Sequence, residues 1–360
     1  MKISDLRITR FKMNRLDPTW RTASYASSSV DGFIIELIAD DVIGIGATAA
    51  HPNSLPAEKI EAQLNGPIRD ILVGAEALGG NDLRRALAAT NTHQRARIAA
   101  DLALYDLVAK SAKLPCYALW GGAVRSELKV VRMVGIKPPE ALIAAIRGLR
   151  DDGYSHFKIK LGTGLKEDVE RIRAVRESFG SDIWISVDGN SAYTVTEAIE
   201  LSHALQPYQL AFIEQPVDYN DVQGLGKLTA ASPIPIMADQ CVKDARSAFA
   251  VCKAKAAHIV SIKATSLGSI DECWRVYEIC RQFKVRVHIG GSVTSALADM
   301  AQAHLAATLP EVDEECEVGE FMAIRGDPIT GVVIRDGRMQ LNDEPGWGVR
   351  IDPALLEGNS

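Results

Sequence analysis

The chain has 360 residues, 47% of them apolar and 24% charged, an ordinary globular balance with room for one large domain or two smaller ones. Its formal net charge of −6 argues against a nucleic-acid binder, whose domain would be basic, and no apolar run of about 18 residues is present to span a membrane. Six scattered cysteines form no CxxC pair and no metal-type spacing, so reduced core thiols and a cytoplasmic location are expected.

The opening MKISDLRITRF alternates charged and apolar residues like a strand and lacks the apolar core of a signal peptide. Together with FIIELI and DDVIGIGATAA it predicts three antiparallel strands within the first fifty residues. Residues 56–113 turn helical, with Ile98, Leu102, Tyr105 and Ala109 at helical spacing and capping residues in TNTHQ at 90–94. LPCYALWGGAV at 114–124 carries Pro and paired Gly and reads as a linker.

Beyond residue 126 short β-rich runs alternate with amphipathic helical stretches. The runs are LKVVRMVGI, HFKIKLG, IWISVDGN, LAFIEQP, IPIMADQ, AHIVSIKA, VRVHIGG and a weaker one near EECEVGE. Alternating strand and helix implies a parallel sheet, and eight such units fit a closed (β/α)8 barrel. No GxGxxG follows the first strand, which weighs against an open doubly wound sheet. The tail, GVVIRDGRMQLNDEPGWGVRID, predicts a hairpin returning to the N-terminal domain. The expected fold is thus α/β: a modified TIM-type barrel over 126–321, capped by an α+β domain over 1–125 that residues 322–360 complete.

The runs end in polar residues. Lys160, Asp188, Glu214, Asp239 and Lys263 follow one another at separations of 28, 26, 25 and 24 residues, one βα unit each. In a barrel these strand ends converge on one mouth. Lys158 shares a face with Lys160 two positions on. Buried charges must compensate one another. Three carboxylates with open positions suit Mg²⁺, and a lysine whose pKa is lowered by the metal and neighbouring ammonium groups can accept a proton. A metal on a substrate carboxylate stabilises the enediolate left when an α-proton is removed. Two lysines on opposite faces of that carbon allow inversion, and equally elimination or ring closure.

At this point FKIK, VDGN, IEQP, MADQ and SIKA, in order, resemble the motifs of the enolase superfamily, in its mandelate racemase/muconate lactonizing branch and closest to the muconate lactonizing subgroup. ALWGG and EPGWGV resemble that family's entry into the barrel and its closing segment. The resemblance spans nearly the whole chain. It implies that Asp188, Glu214 and Asp239 bind Mg²⁺, with Mn²⁺ as a substitute; that Lys160 and Lys263 are the acid/base pair; and that Lys158 tunes Lys160. Asn190 falls where the family places a polar neighbour. The family's usual Glu after the third ligand is Gln240 here, which removes a negative charge near Lys263 and predicts a lower pKa for it. His288 reads as a core or rim histidine. Loops 20–29 and 48–54 are the expected lid, making Arg21, Tyr25 and His51 candidate substrate contacts.

The run near residue 316 leaves two readings open. Glu315 and Glu317 either face the barrel interior, Glu317 then holding a substrate ammonium, or belong to an exposed acidic loop. The expected activity is racemisation or epimerisation of a small carboxylate such as a dipeptide, an N-acyl amino acid or a betaine. Muconate-type cycloisomerisation, syn-dehydration and a catalytically dead binding barrel are the alternatives. A homo-oligomer, dimer or octamer, is expected by family analogy, with neither nucleic acid nor membrane as partner.

Overall fold

The computed structural model describes residues 1–357. Three long strands, β1 (Asp5–Arg15), β2 (Ser29–Ala39) and β3 (Val42–Ala49), form the expected antiparallel meander. Helices α1 (Ala57–Gln63), α2 (Gly80–Ala89) and α3 (Gln94–Ala112) follow. Ile98, Leu102, Tyr105 and Ala109 are all buried, and the His93 ring caps α3 by accepting from the Arg95 amide. The helix lies directly on the sheet because β3 offers it glycine. A Cβ on Gly44 would stand 2.4 Å from the Ala103 carbonyl oxygen, and one on Gly46 only 2.0 Å from that of Ala99.

The sequence run LKVVRMVGI divides in two. Its first part, β4 (Glu127–Lys129), pairs antiparallel with the C-terminal hairpin, and only β5 (Arg132–Val134) enters the barrel. Parallel strands β6 (His156–Lys160), β7 (Trp184–Asp188), β8 (Ile213–Glu214), β9 (Ile236–Ala238), β10 (Ile259–Ile262) and β11 (Arg286–Ile289) then lie side by side in chain order. Helices α4 (Pro139–Asp151), α5 (Leu165–Phe179), α6 (Val195–Leu205), α7 (Val222–Ala231), α8 (Ala245–Lys253), α9 (Ile270–Gln282) and α10 (Ala296–Thr308) alternate with them, the βα repeat of a TIM-type barrel.

The eighth position is held by a segment that is barely a strand. Cys316 makes an isolated parallel bridge to Val130. On one side its carbonyl accepts from the Val131 amide at 2.9 Å; on the other the Glu317 amide donates to the Ile289 carbonyl at 2.9 Å. These bonds join the first and last barrel strands.

The tail serves both parts of the molecule. β12 (Ile324–Arg325) pairs with β1, and β13 (Ile329–Thr330) pairs with β16 (Arg350–Ile351). The hairpin of β14 (Val333–Arg335) and β15 (Arg338–Gln340) does not return to the N-terminal sheet as expected; it pairs with β4 at the barrel entrance. Trp347 does return, fully buried, its indole N–H donating to the Leu102 carbonyl of α3 at 3.1 Å. All six cysteines are buried and free. Among the described residues no helix is long and apolar enough to cross a membrane.

Candidate active site

Strand alternation places the charges. On β6, Phe157 and Ile159 are buried toward the surrounding helices, while Lys158 and Lys160 point inward and are only 1% and 7% exposed. Register then lines up their partners: Lys160 lies beside Asp188, and Asp188 beside Glu214. Asp239 follows β9 and Lys263 follows β10 by one residue. The spacing in the sequence thus becomes a row of strand ends at one mouth.

Every carboxylate of the row is paired. Lys158 Nζ donates to Glu214 Oε2 at 2.8 Å, stands 2.5 Å from Glu317 Oε1, and lies 3.9 Å from Asp188. Lys160 donates to Asp188 Oδ2 at 2.5 Å. Lys263 meets both Asp239 oxygens, at 2.9 and 3.0 Å. Burial alone would lower the pKa of Lys158 and Lys263, but the facing carboxylates outweigh it and hold both above the ordinary lysine value. Asp239, and behind it Glu214, set this upward shift of Lys263. Burial, reinforced by Asp188, pushes Glu214 up in spite of Lys158. Glu317 would also rise with burial, yet Lys158 and His288 hold it well below the usual carboxylate range.

Two further residues fix the row. Asn190, at positive φ, donates its backbone amide to Asp188 Oδ1 at 2.8 Å and its side-chain amide to Oδ2 at 3.0 Å. Gln215, which the sequence reading passed over inside IEQP, is fully buried. Its Oε1 accepts from the Asp239 and Cys241 amides at 3.1 and 3.3 Å, so the loop after β8 aims the loop after β9.

Above the row lies a cavity of about 610 Å³, lined from below by Lys160, Asp188, Asn190, Asp239, Gln240 and Lys263. Tyr25 and His51 of the two expected lid loops line it from above, their rings edge to face at 4.8 Å. Burial, then Arg95, Lys263 and Lys160, push the His51 pKa down to about 3, so the ring is neutral. Arg21 is not among the lining residues; it is exposed, and its carbonyl accepts from the Ile136 amide at 2.9 Å. Lys158 does not line the cavity either, lying beneath the mouth.

Glu315 and Glu317 part company because the segment between them is no regular strand. Glu315 is a third exposed and pairs with Lys129 at 3.3 Å. Glu317 is fully buried, accepts from the Gly291 amide at 2.7 Å and lies 3.2 Å from His288 Nε2. It does not line the cavity where a substrate ammonium would sit. The reading of both glutamates on one interior face is therefore corrected. Conversely, Arg95 lines the cavity though nothing marked it in the sequence. It is 7% exposed, its guanidinium donates to the Ala49 carbonyl at 2.9 Å, and among the described residues no ion pair neutralises it.

Among the described residues no three His, Cys, Asp or Glu side chains close around a metal position as they stand, since lysine ammonium groups occupy the carboxylates. The donor set nevertheless fits a hard divalent cation: three carboxylates on neighbouring strand ends, with the buried Glu214 Oε1 left without any hydrogen-bond partner.

Residues 8–121 match the N-terminal domain of mandelate racemase/muconate lactonizing enzyme, and residues 141–355 match the enolase C-terminal domain-like family. A hydrophobic dipeptide epimerase of Enterococcus faecalis is 31% identical over 257 residues, covering 71% of this chain and 72% of that protein. The crystal structure of N-succinyl Arg/Lys racemase from Bacillus cereus superposes with a TM-score of 0.95 at 25% identity, covering 100% of this chain and 98% of that one. A dipeptide epimerase structure from Enterococcus faecalis, complexed with Mg and L-Leu-L-Tyr, gives a TM-score of 0.91 at 26% identity, over 97% and 99% of the two chains.

Proposed function

Because the chain belongs to the mandelate racemase/muconate lactonizing enzyme family of the enolase superfamily and is an isomerase, we propose that it is an Mg²⁺-dependent racemase or epimerase acting on the α-carbon of an N-acylated amino acid. The observation that carries the reading is the lysine pair. Lys160 and Lys263 end the second and sixth barrel strands, four strands apart, and line one cavity above three carboxylates.

Asp188, Glu214 and Asp239 would hold the ion, which when bound supplies the positive charge that stabilises an enediolate. Lys160 Nζ, unprotonated, takes the α-proton on one face, and protonated Lys263 Nζ returns one on the other; the reverse reaction exchanges the roles. Lys158 stays charged between Glu214 and Glu317 and holds the two carboxylates in place. The lid residues Tyr25 and His51 cover the carbon and exclude water.

The substrate class follows from the cavity wall. Among the described residues its acidic lining is Asp188 and Asp239, both paired with lysines, which leaves no free carboxylate there to take the ammonium of a dipeptide. A quaternary ammonium would need open aromatic faces, but Arg15 lies over Trp20 at 4.7 Å, Lys243 over Tyr219 at 4.6 Å, and Tyr25 packs edge to face with His51. The buried, uncompensated Arg95 instead favours a polar or anionic acyl group. That same guanidinium would suit the second carboxylate of a muconate-type diacid, which keeps cycloisomerisation as the second reading.

The two are separated in D₂O with Mg²⁺. N-acyl amino acids should exchange their α-proton, with Lys160→Ala abolishing exchange from one enantiomer and Lys263→Ala from the other, and EDTA abolishing both. Lactone formation from a diacid without such exchange establishes the second reading. Exchange insensitive to both lysine substitutions refutes the acid/base assignment.

A further inference from the structure

The loop after β6, residues 161–164, joins Lys160 to α5, and one carboxylate gathers it. The amides of Gly162, Thr163 and Gly164 donate to Asp168 Oδ2 at 3.0, 3.0 and 3.2 Å, and the Thr163 hydroxyl donates to Oδ1 at 3.2 Å. Asp168 is fully buried, and Arg171 and the Tyr193 hydroxyl also donate to it. Tyr193 comes from the loop that follows Asp188 at the end of β7 and also carries Asn190, so two loops at the mouth share this anchor.

The loop is also where the lid rests. Gly162 has a φ of +114°, and a Cβ on it would stand 2.4 Å from the Ala23 Cβ of the lid and 2.8 Å from that of Ala192. A second path leads the same way. Arg171 Nε donates to the Lys137 carbonyl at 2.9 Å, and the Lys137 ammonium reaches Asp17 at 2.6 Å and the Thr19 hydroxyl at 2.9 Å, at the base of the lid.

We propose that Asp168 is a positioning residue that sets, through loop 161–164, both the placement of Lys160 and the seat on which the lid closes. An anchor serving stability alone would affect both proton-transfer directions equally. An anchor that places Lys160 affects the direction this lysine serves, because small displacements of a reacting group cost far more in rate than in folding. The role for Lys160 rests on the reading given under Proposed function.

Asp168→Asn and the milder Tyr193→Phe test it. At saturating substrate, α-proton exchange from the enantiomer served by Lys160 should fall at least about tenfold and exchange from the other should stay within about twofold, while KM rises for both as the lid loosens. Amide hydrogen exchange in segments 161–164 and 20–26 should accelerate together, with the rest of the barrel unchanged. Equal loss in both directions, or a lid segment unaffected while 161–164 loosens, overturns the proposal. If Lys160→Ala itself shows no enantiomer preference, the acid/base reading fails, and the amide exchange of the lid alone decides the role of Asp168.

Discussion

A fully buried ammonium needs counter-charge, and Lys158 has it from Glu214 and Glu317 at 2.8 and 2.5 Å. Glu317→Gln keeps the shape and removes one charge. It should lower unfolding stability by about 2 kcal/mol, the worth of a hydrogen bond to a charged group, read from urea denaturation, while KM stays unchanged. A raised KM at unchanged stability would mean that Glu317 touches substrate after all. Arg95→Ala should do the opposite, raising KM at least about tenfold for an anionic acyl group, since an interaction worth 1.4 kcal/mol is tenfold in affinity, with little loss of stability. Lys160 and Asp188 were legible in the sequence because a two-residue period and a regular βα spacing are enough to place them. Arg95, Gln215 and Asp168 were not. Their roles depend on which carbonyls and amides the folded chain brings near them, and no spacing announces that.

At the scale of elements, α3 is the piece against which the others are set. Its Asp106 is fully buried, accepts from the Ile45 amide of β3 at 2.7 Å and the Trp347 amide of the tail at 2.9 Å, and pairs with Lys110 at 2.6 Å. Asp106→Ala would leave two buried amides without acceptors, at about 1–3 kcal/mol each. A drop of about 3 kcal/mol in chemical denaturation, with α-proton exchange retained below the new midpoint, is the expected result. The periodic strands and helices of this architecture could be read in advance. The eighth strand could not, because a stretch with six acidic residues in ten carries no alternation from which to tell Glu315 from Glu317.

Across the whole molecule, His304 marks where barrel and tail meet. It lies on α10, accepts from the Tyr117 amide through Nδ1 at 3.3 Å and packs edge-on against Trp347 at 5.4 Å. Burial pushes its pKa down from 6.5 to about 3. The unfolded chain takes up a proton below pH 6.5 that the folded one refuses, so this contribution to stability is complete above pH 6.5 and is lost as the pH falls toward 3. The urea midpoint should therefore decline between pH 6.5 and 4, and His304→Gln should flatten the decline in part, the other histidines that burial holds low, His51 and His156 among them, contributing to the rest. An unchanged slope would place the titration elsewhere.

Pairing of β12 with β1, and of Trp347 with α3, joins segments that precede the barrel in the chain to segments that follow it. During synthesis the sheet of β1, β2 and β3 lacks its fourth strand, and α3 its bond from Trp347, until the barrel that lies between them in the chain has been translated. A polypeptide ending before Trp347 would carry both lysines and all three carboxylates of the site yet lack the indole that fastens the tail to α3.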